Sequence, residues 1–265
     1  MIMTNFIGVR FPGDKLRSAR ETPQLDVSAA AFLTVLVLKL VGAEIDNEPA
    51  LRETLAAAYT PLAALPNAYR LYPVLPNIVS FEMLLATAES HRPRNVRPVY
   101  RWKPLWTPGW NENKYTAAEL DGVEKSLVVR VALQNPEDTN YDPLLHLLGV
   151  EYDDIHSSNQ RTQLKVWPTL KAEFESEHKG YTLTTVTARD FLVMALMDRI
   201  EGKSGQDTVL SRGMMRCPEL GHRTVRDNSY VGSVYSYGGR LYLGKAEGDA
   251  CRSEGLGLSA GEADT

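Results

Sequence analysis

Two cysteines in 265 residues are too few for a disulfide framework. Neither Cys217 nor Cys251 falls in a CxxC or Cys/His spacing that would hold zinc, so two free thiols in a reducing compartment are expected. Histidine is also scarce, at five. The chain lacks GxSxG, HExxH, Walker A and dinucleotide fingerprints, and each absence weakens a familiar enzyme class. It lacks an excess of either charge: 29 Lys and Arg against 33 Asp and Glu give a net charge of -4. That supplies no global field for nucleic acid, although a local basic patch could still act. Long apolar runs are missing too. The most apolar stretch, Val27 to Ala43, contains Thr34 and Lys39 between charged flanks, and it reads as a buried helix rather than a bilayer span. Met1 to Asp14 shows no basic region followed by an apolar core and a small-residue cleavage site. No export signal is expected, which places the chain in the cytoplasm or in a virion.

What is present is the composition of an ordinary globular protein, 43% hydrophobic and 23% charged, which excludes disorder and collagen. The length allows one large domain or two small ones. The first ninety residues read as helical. Asp26 caps a helix through Ala29–Val41 with Gly42 as its stop, and Asn47-Glu48-Pro49 opens a second helix through Leu51, Leu55, Ala58 and Tyr59. A third is expected over Ile78–Glu89. From Arg92 to Asn113 a Pro- and Trp-rich arm follows. Thr116-Ala-Ala-Glu119 is a capping box with Tyr115 and Leu120 as its staple, and Leu127 to Leu133 alternates as a strand. Trp167-Pro168 leads into a helix ending near His178 with Gly180 as its cap. Thr187-Ala-Arg-Asp190 boxes another helix that stops at Gly202. Residues 203–261 hold eleven of the nineteen glycines and short apolar-polar alternations, so this region is β-rich and loop-heavy. The fold class expected is α+β, divided between a mainly helical region 1–115 and an α+β region 116–265.

Three constellations could carry chemistry. Asp153, Asp154 and His156 bring two carboxylates and an imidazole together but show no further ligand elsewhere in the sequence, so no metal or other cofactor is expected. His146 reads as a half-buried helix residue. Arg92 to Lys103 carries five positive charges and no acid in twelve residues, with Trp106 and Trp110 behind. It could hold single-stranded nucleic acid, or it could plug its Trp side chains into the core while the Arg stems lie over the surface. The plug is the favoured reading. The third is the tail from Thr224 to Gly261, where Gly and small apolar residues frame Tyr230, Tyr235, Tyr237 and Tyr242 among serines. Tyrosine gives large amphipathic contact area at low entropy cost, and Ser, Asn and Gly adapt their hydrogen bonds, which is the composition of a paratope.

That tail resembles the variable region of proteins diversified by retroelements, whose C-termini adopt a C-type lectin-like fold related to the formylglycine-generating enzyme. The matching segments are Gly239-Arg-Leu-Tyr-Leu243 as a first strand, Gly244–Glu254 as a loop and Gly255-Leu-Gly-Leu-Ser259 as the closing strand. Leu258-Ser259 stands where Phe-Arg is usual, and the tryptophan that commonly precedes the closing strand is absent. The resemblance implies a scaffold with variable side chains on one face. Adenine-directed mutagenesis of Asn-type codons could yield Asp227, Asn228, Tyr230, Tyr235, Tyr237, Tyr242, Asp249, Cys251, Arg252 and Ser253, which are therefore the candidate ligand-binding residues. It could not yield Lys245, Glu247 or Glu254, which count as fixed.

The function expected is therefore binding of a macromolecular ligand, a protein before a nucleic acid, with no catalytic residue. The alternative resembles RNA-binding proteins of the CRISPR repeat-associated kind. Those close with a Gly-rich loop, here Gly248–Gly261, with phosphate contacts from Arg92–Lys103 and with His91 or Tyr100 near cleavage.

Overall fold

Asp26 starts the first helix by accepting hydrogen bonds from the Ser28 and Ala29 amides at 3.0 and 2.9 Å. The computed structural model describes residues 25–106, 115–133, 160–203, 214–220, 223–225, 228–237, 240–247 and 254–263. Helix α1 (Val27–Leu40) ends at Gly42, whose φ of 81° favours glycine. Asn47 caps α2 (Glu48–Ala63) through the Ala50 amide. α1 is apolar nearly all round because it lies between two cores. Leu33, Val37 and Leu38 belong to one, while Ala30, Ala31 and Val35 belong to the other. Its buried Thr34 hydroxyl is satisfied by the Ala30 carbonyl and the Tyr59 hydroxyl.

The expected run of helices is interrupted by strand β1 (Ala68–Val74). This strand is hidden in the sequence because both its faces are covered: Leu71 enters one core and Tyr72 the other, so no polar-apolar alternation remains. Pro73 fits there because β1 is an edge strand. Helix α3 (Phe81–Ser90) begins at its Ser80 cap, later than Ile78. Residues 76–80 are instead a loop, whose Pro76 and Val79 carbonyls both accept from Arg189.

The arm supplies a short strand β2 (Tyr100–Arg101) and a single turn α4 (Lys103–Trp106). Both capping boxes form. Thr116 and Glu119 open α5 (Ala117–Leu120), and Thr187 and Asp190 open α7 (Ala188–Ile200). Between them lie β3 (Val128–Leu133), α6 (Gln160–Glu177) and β4 (Tyr181–Thr185). α6 begins before Trp167-Pro168 and runs through the proline, which forgoes one helical hydrogen bond. Gly180 follows it at φ 89°. The strand-rich remainder comprises β5 (Met214–Arg216), a 3-10 turn at Pro218–Leu220, β6 (Arg223–Val225), β7 (Asn228–Tyr237), β8 (Arg240–Glu247), β9 (Glu254–Leu256) and β10 (Leu258–Glu262).

The fold is thus mixed α+β, with helices interleaved between two sheets. The first sheet is antiparallel, in the order β1-β3-β10-β4. The second runs β2-β8-β7-β5-β9, with β6 also on β7, and its β2–β8 and β5–β9 pairs are parallel. The described residues among the first 115 therefore give one strand to each sheet. Helix α7 packs against α1, α3, β1 and β7, which is why every residue from Ala188 to Asp198 is buried. Its charges are matched rather than solvated. Arg189 donates to backbone carbonyls, Asp190 closes the cap, and Arg70 meets both Asp198 and Glu201. Burial pushes the Asp190 carboxyl above its usual range, although bonds from Thr187 oppose the shift. Among the described residues no helix is long and apolar enough to cross a membrane.

The chain passes from the second sheet to the first at Gly257, between β9 and β10. A Cβ there would lie 2.8 Å from the Phe191 ring and 2.9 Å from Val186. Overpacking of this kind costs about 1–3 kcal/mol. Gly257→Ala should lower the unfolding free energy by that amount, read as a lower urea midpoint with an unchanged slope, and an unaltered midpoint would show that Phe191 and Val186 can give way.

Candidate ligand-binding surface

The β7–β8 hairpin is in continuous register from Tyr230–Glu247 to Tyr237–Arg240, so alternate residues face opposite ways. One face looks inward. Val234, Leu241 and Leu243 are buried there, and Gly232 lies under the arm: a Cβ at Gly232 would stand 2.7 Å from the Trp106 ring and 3.0 Å from Tyr115. Trp106 is buried, stacks on Phe81 with centroids 6.0 Å apart, and donates its indole N–H to the Gly244 carbonyl at 2.5 Å. The Tyr115 hydroxyl accepts the Gly232 amide at 2.7 Å. Tyr230 is also on this side, buried edge-on against Trp102 at 5.2 Å. The Lys245 ammonium lies 3.9 Å from the Tyr230 ring centroid and 4.9 Å from that of Trp102, a cation–π clamp on the inward side of the hairpin.

The other face carries an aromatic row across three strands. Tyr235 of β7 is paired with Tyr242 of β8, and Tyr242 with Tyr100 of β2. The Tyr235 and Tyr242 rings stack at 4.8 Å with planes 7° apart. That centroid distance is the spacing between strands, so the rings stand side by side on the sheet. Tyr100 covers the far side of Tyr242 at 5.6 Å, tilted by 44°. Gly244 leaves the room that Tyr235 uses, since a Cβ there would be 2.9 Å from its ring. The Arg240 guanidinium carbon sits 5.1 Å from the Tyr242 centroid and 5.6 Å from that of Tyr100, while its Nε donates to the Pro98 carbonyl at 2.7 Å. Tyr100 is 40% exposed, and Tyr235, Tyr242 and Arg240 are half-buried. Both faces of Tyr242 are occupied by its neighbours. The row therefore offers ring edges and hydroxyls more than open stacking platforms.

The basic arm behaves mainly as the plug expected of it. Trp106 and Leu105 enter the core, Trp102 packs against it, and the Trp102 amide bonds the Leu243 carbonyl at 2.8 Å. Arg101 makes a two-pronged bond to Glu82 at 2.9 and 2.7 Å, and Arg92 meets Glu89 and the Val96 carbonyl. Arg94 and Arg97 are exposed. His91 ends α3 with its Nδ1 on the Thr87 carbonyl.

Of the ten candidate residues, the structure brings Tyr235 and Tyr242 together and sets Tyr230 on the opposite, inward face. Asn228 and Tyr237 lie at the two ends of β7, and their side chains are outside the description. Asp227, Asp249, Cys251, Arg252 and Ser253 lie outside the described residues, as do His146, Asp153, Asp154 and His156. Two members of the row were not among the candidates, Tyr100 and Arg240. The alternation Val99-Tyr100-Arg101-Trp102 was a usable strand signal, obscured by prolines on either side. Cys217 is a free thiol, fully buried, and burial pushes its pKa well up, so it is a poor nucleophile. Among the described residues no group of three or more His, Cys, Asp or Glu side chains could hold a metal ion. No family model, curated protein or solved structure matches the chain.

The two faces give opposite expectations for tyrosine truncation. Tyr230→Ala should cost about 3–5 kcal/mol, as removal of a large buried ring does. Tyr242→Ala should cost only about 1 kcal/mol, the scale of an aromatic pair on a half-exposed face. Urea unfolding of the two variants measures the difference, and equal losses would place the Tyr242 ring in the core.

Proposed function

We propose that the chain is a ligand-binding protein that presents the β2–β8–β7 face to a macromolecular ligand, a protein in the first instance. The observation that carries this reading is the row Tyr235–Tyr242–Tyr100 with Arg240 beside it, mounted on a hairpin whose opposite face is locked into the core. Tyr and Arg are the residue types that dominate interface energetics, and a rigid mount spares the entropy of ordering them on contact. The row is built as a display, because its rings are held by one another and by a glycine while the scaffold lies behind them. The resemblance to retroelement-diversified proteins fits at the same place. Tyr235 and Tyr242 are positions that such mutagenesis can reach and Lys245 is one that it cannot, while β8 runs on through Glu247 into the expected loop and the expected closing strand is divided at Gly257 between β9 of one sheet and β10 of the other. On this reading the chain binds rather than catalyses, in the cytoplasm or on a virion.

An RNA-binding role is less well supported. Arg92 and Arg101 are committed to Glu89 and Glu82, and the Tyr242 ring, covered on both faces by Tyr235 and Tyr100, cannot itself stack a base.

The test is selection from a displayed library of short random peptides, on the full chain and on the Tyr235→Ala/Tyr242→Ala double variant. Peptides enriched by the native chain should lose binding about tenfold or more on the double variant, the loss expected when aromatic anchors are removed. Equal binding to both proteins would contradict the reading.

A further inference from the structure

The Arg240 guanidinium lies against two tyrosine rings and uses its Nε on the Pro98 carbonyl. No bond or ion pair occupies its two Nη groups among the described residues. The neighbouring segment carries Arg97, one residue from the carbonyl that Arg240 holds, and Arg94, both exposed. Among the described residues, two acids beside this segment are already committed. Glu82 is bound by Arg101, and Glu89 is shared by Arg92, Arg199 and the Val99 amide. The Tyr100 and Tyr242 hydroxyls have no hydrogen-bond partner among the described residues. This corner of a chain with net charge -4 is thus, among the described residues, a local excess of donors: three guanidinium groups with free N–H groups and two phenolic hydroxyls around one aromatic row.

We infer that the ligand of this face is an acidic polypeptide segment, with one of its carboxylates held by the Nη pair of Arg240 and others near Arg97 and Arg94. This rests on the reading of the aromatic row as the binding face. A planar guanidinium matches a carboxylate with two parallel N–H···O bonds, and a hydroxyl can donate a further bond to the same group. Stacking on Tyr100 and Tyr242 holds the fork in place before binding, so little side-chain freedom is lost. Phosphate would suit the fork equally, but an RNA strand also needs exposed ring faces. Tyr242 has both of its faces covered, whereas a polypeptide needs only edges, hydroxyls and apolar contact area.

The same peptide library provides the test, with three further proteins: Tyr242→Ala, Arg240→Gln and Arg240→Lys. Thermal melts of each check that the fold is retained. Peptides that depend on Tyr242 should be enriched in Asp and Glu relative to the unselected library. Arg240→Gln should weaken them about tenfold to a hundredfold, the range of a central arginine anchor. Arg240→Lys should restore only part of that loss, because it keeps the charge but not the fork. Row-dependent peptides without acid enrichment, or indifferent to Arg240→Gln, would overturn this inference and leave the binding face intact. A library with no row-dependent peptides would overturn both. A labelled oligouridylate that binds more tightly than the selected peptides, and loses binding in Arg240→Gln, would overturn it in favour of RNA.

Discussion

The indole of Trp106 fills the space that Gly232 leaves empty, and much of the β2–β8–β7 face depends on that contact. Gly232 lets the ring approach β7 to a distance no side chain would permit, and the indole N–H then closes on the Gly244 carbonyl of β8. One residue thereby grips both strands of the hairpin from behind. The turn α4 that carries it is continuous with β2, so the same contact brings Tyr100 alongside Tyr242. Tyr115, Phe81 and Trp102 pack around the plug. Aromatic area buried in this way is the largest apolar contribution a single side chain can make, which suits a segment only a few residues long that must hold a sheet edge in register.

The two faces of the hairpin divide the work. The inward face is small, branched or clamped: Gly232 under Trp106, Val234, Leu241 and Leu243 in the core, and Lys245 across Tyr230 and Trp102. The outward face spaces its tyrosines one strand apart, so that they stack on one another and turn their edges to the solvent. The outward face is open only around its tyrosines, because Val231 and Ser233 on the same face are fully buried. Around the tyrosines, core contact and solvent contact are thus carried by different residues of the same strands. Gly257 extends the arrangement to the end of the chain, where it lets β9 stay in the second sheet while β10 completes the first.

The helices and their ends were legible in the sequence because capping is local chemistry. Asp26, Asn47, Thr116 and Thr187 each act within a few residues of themselves, and Gly42, Gly180 and Gly202 each take the positive φ that ends a helix. The β-rich character of the tail was legible from its glycines and alternation. The first sheet was largely hidden. Strands β1 and β4 carry little alternation, since β1 is covered on both faces and β4 is a run of threonines and leucine with one fully buried position. The candidate surface was half legible: composition pointed to Tyr235 and Tyr242 but not to which tyrosines share a face. Tyr230 differs from Tyr235 by an odd number of positions, so the pleat alone separates them, yet the register had to be known first. Tyr100 joined the row through a parallel pairing between residues far apart in sequence, which no local pattern announces, whereas Arg240 stands two residues before Tyr242 on the same strand and shares its face by the pleat.

The central claim is that one face of this hairpin is free to vary while the other is not. Deep sequencing of the gene across a natural population tests it most directly. The account predicts that substitutions crowd into codons 235, 237 and 242 and into 249–253, towards residues reachable by changes at adenine, while codons 232, 234, 241, 243 and 245 stay constant. A tail invariant throughout, or substitutions spread evenly over both faces, would contradict it.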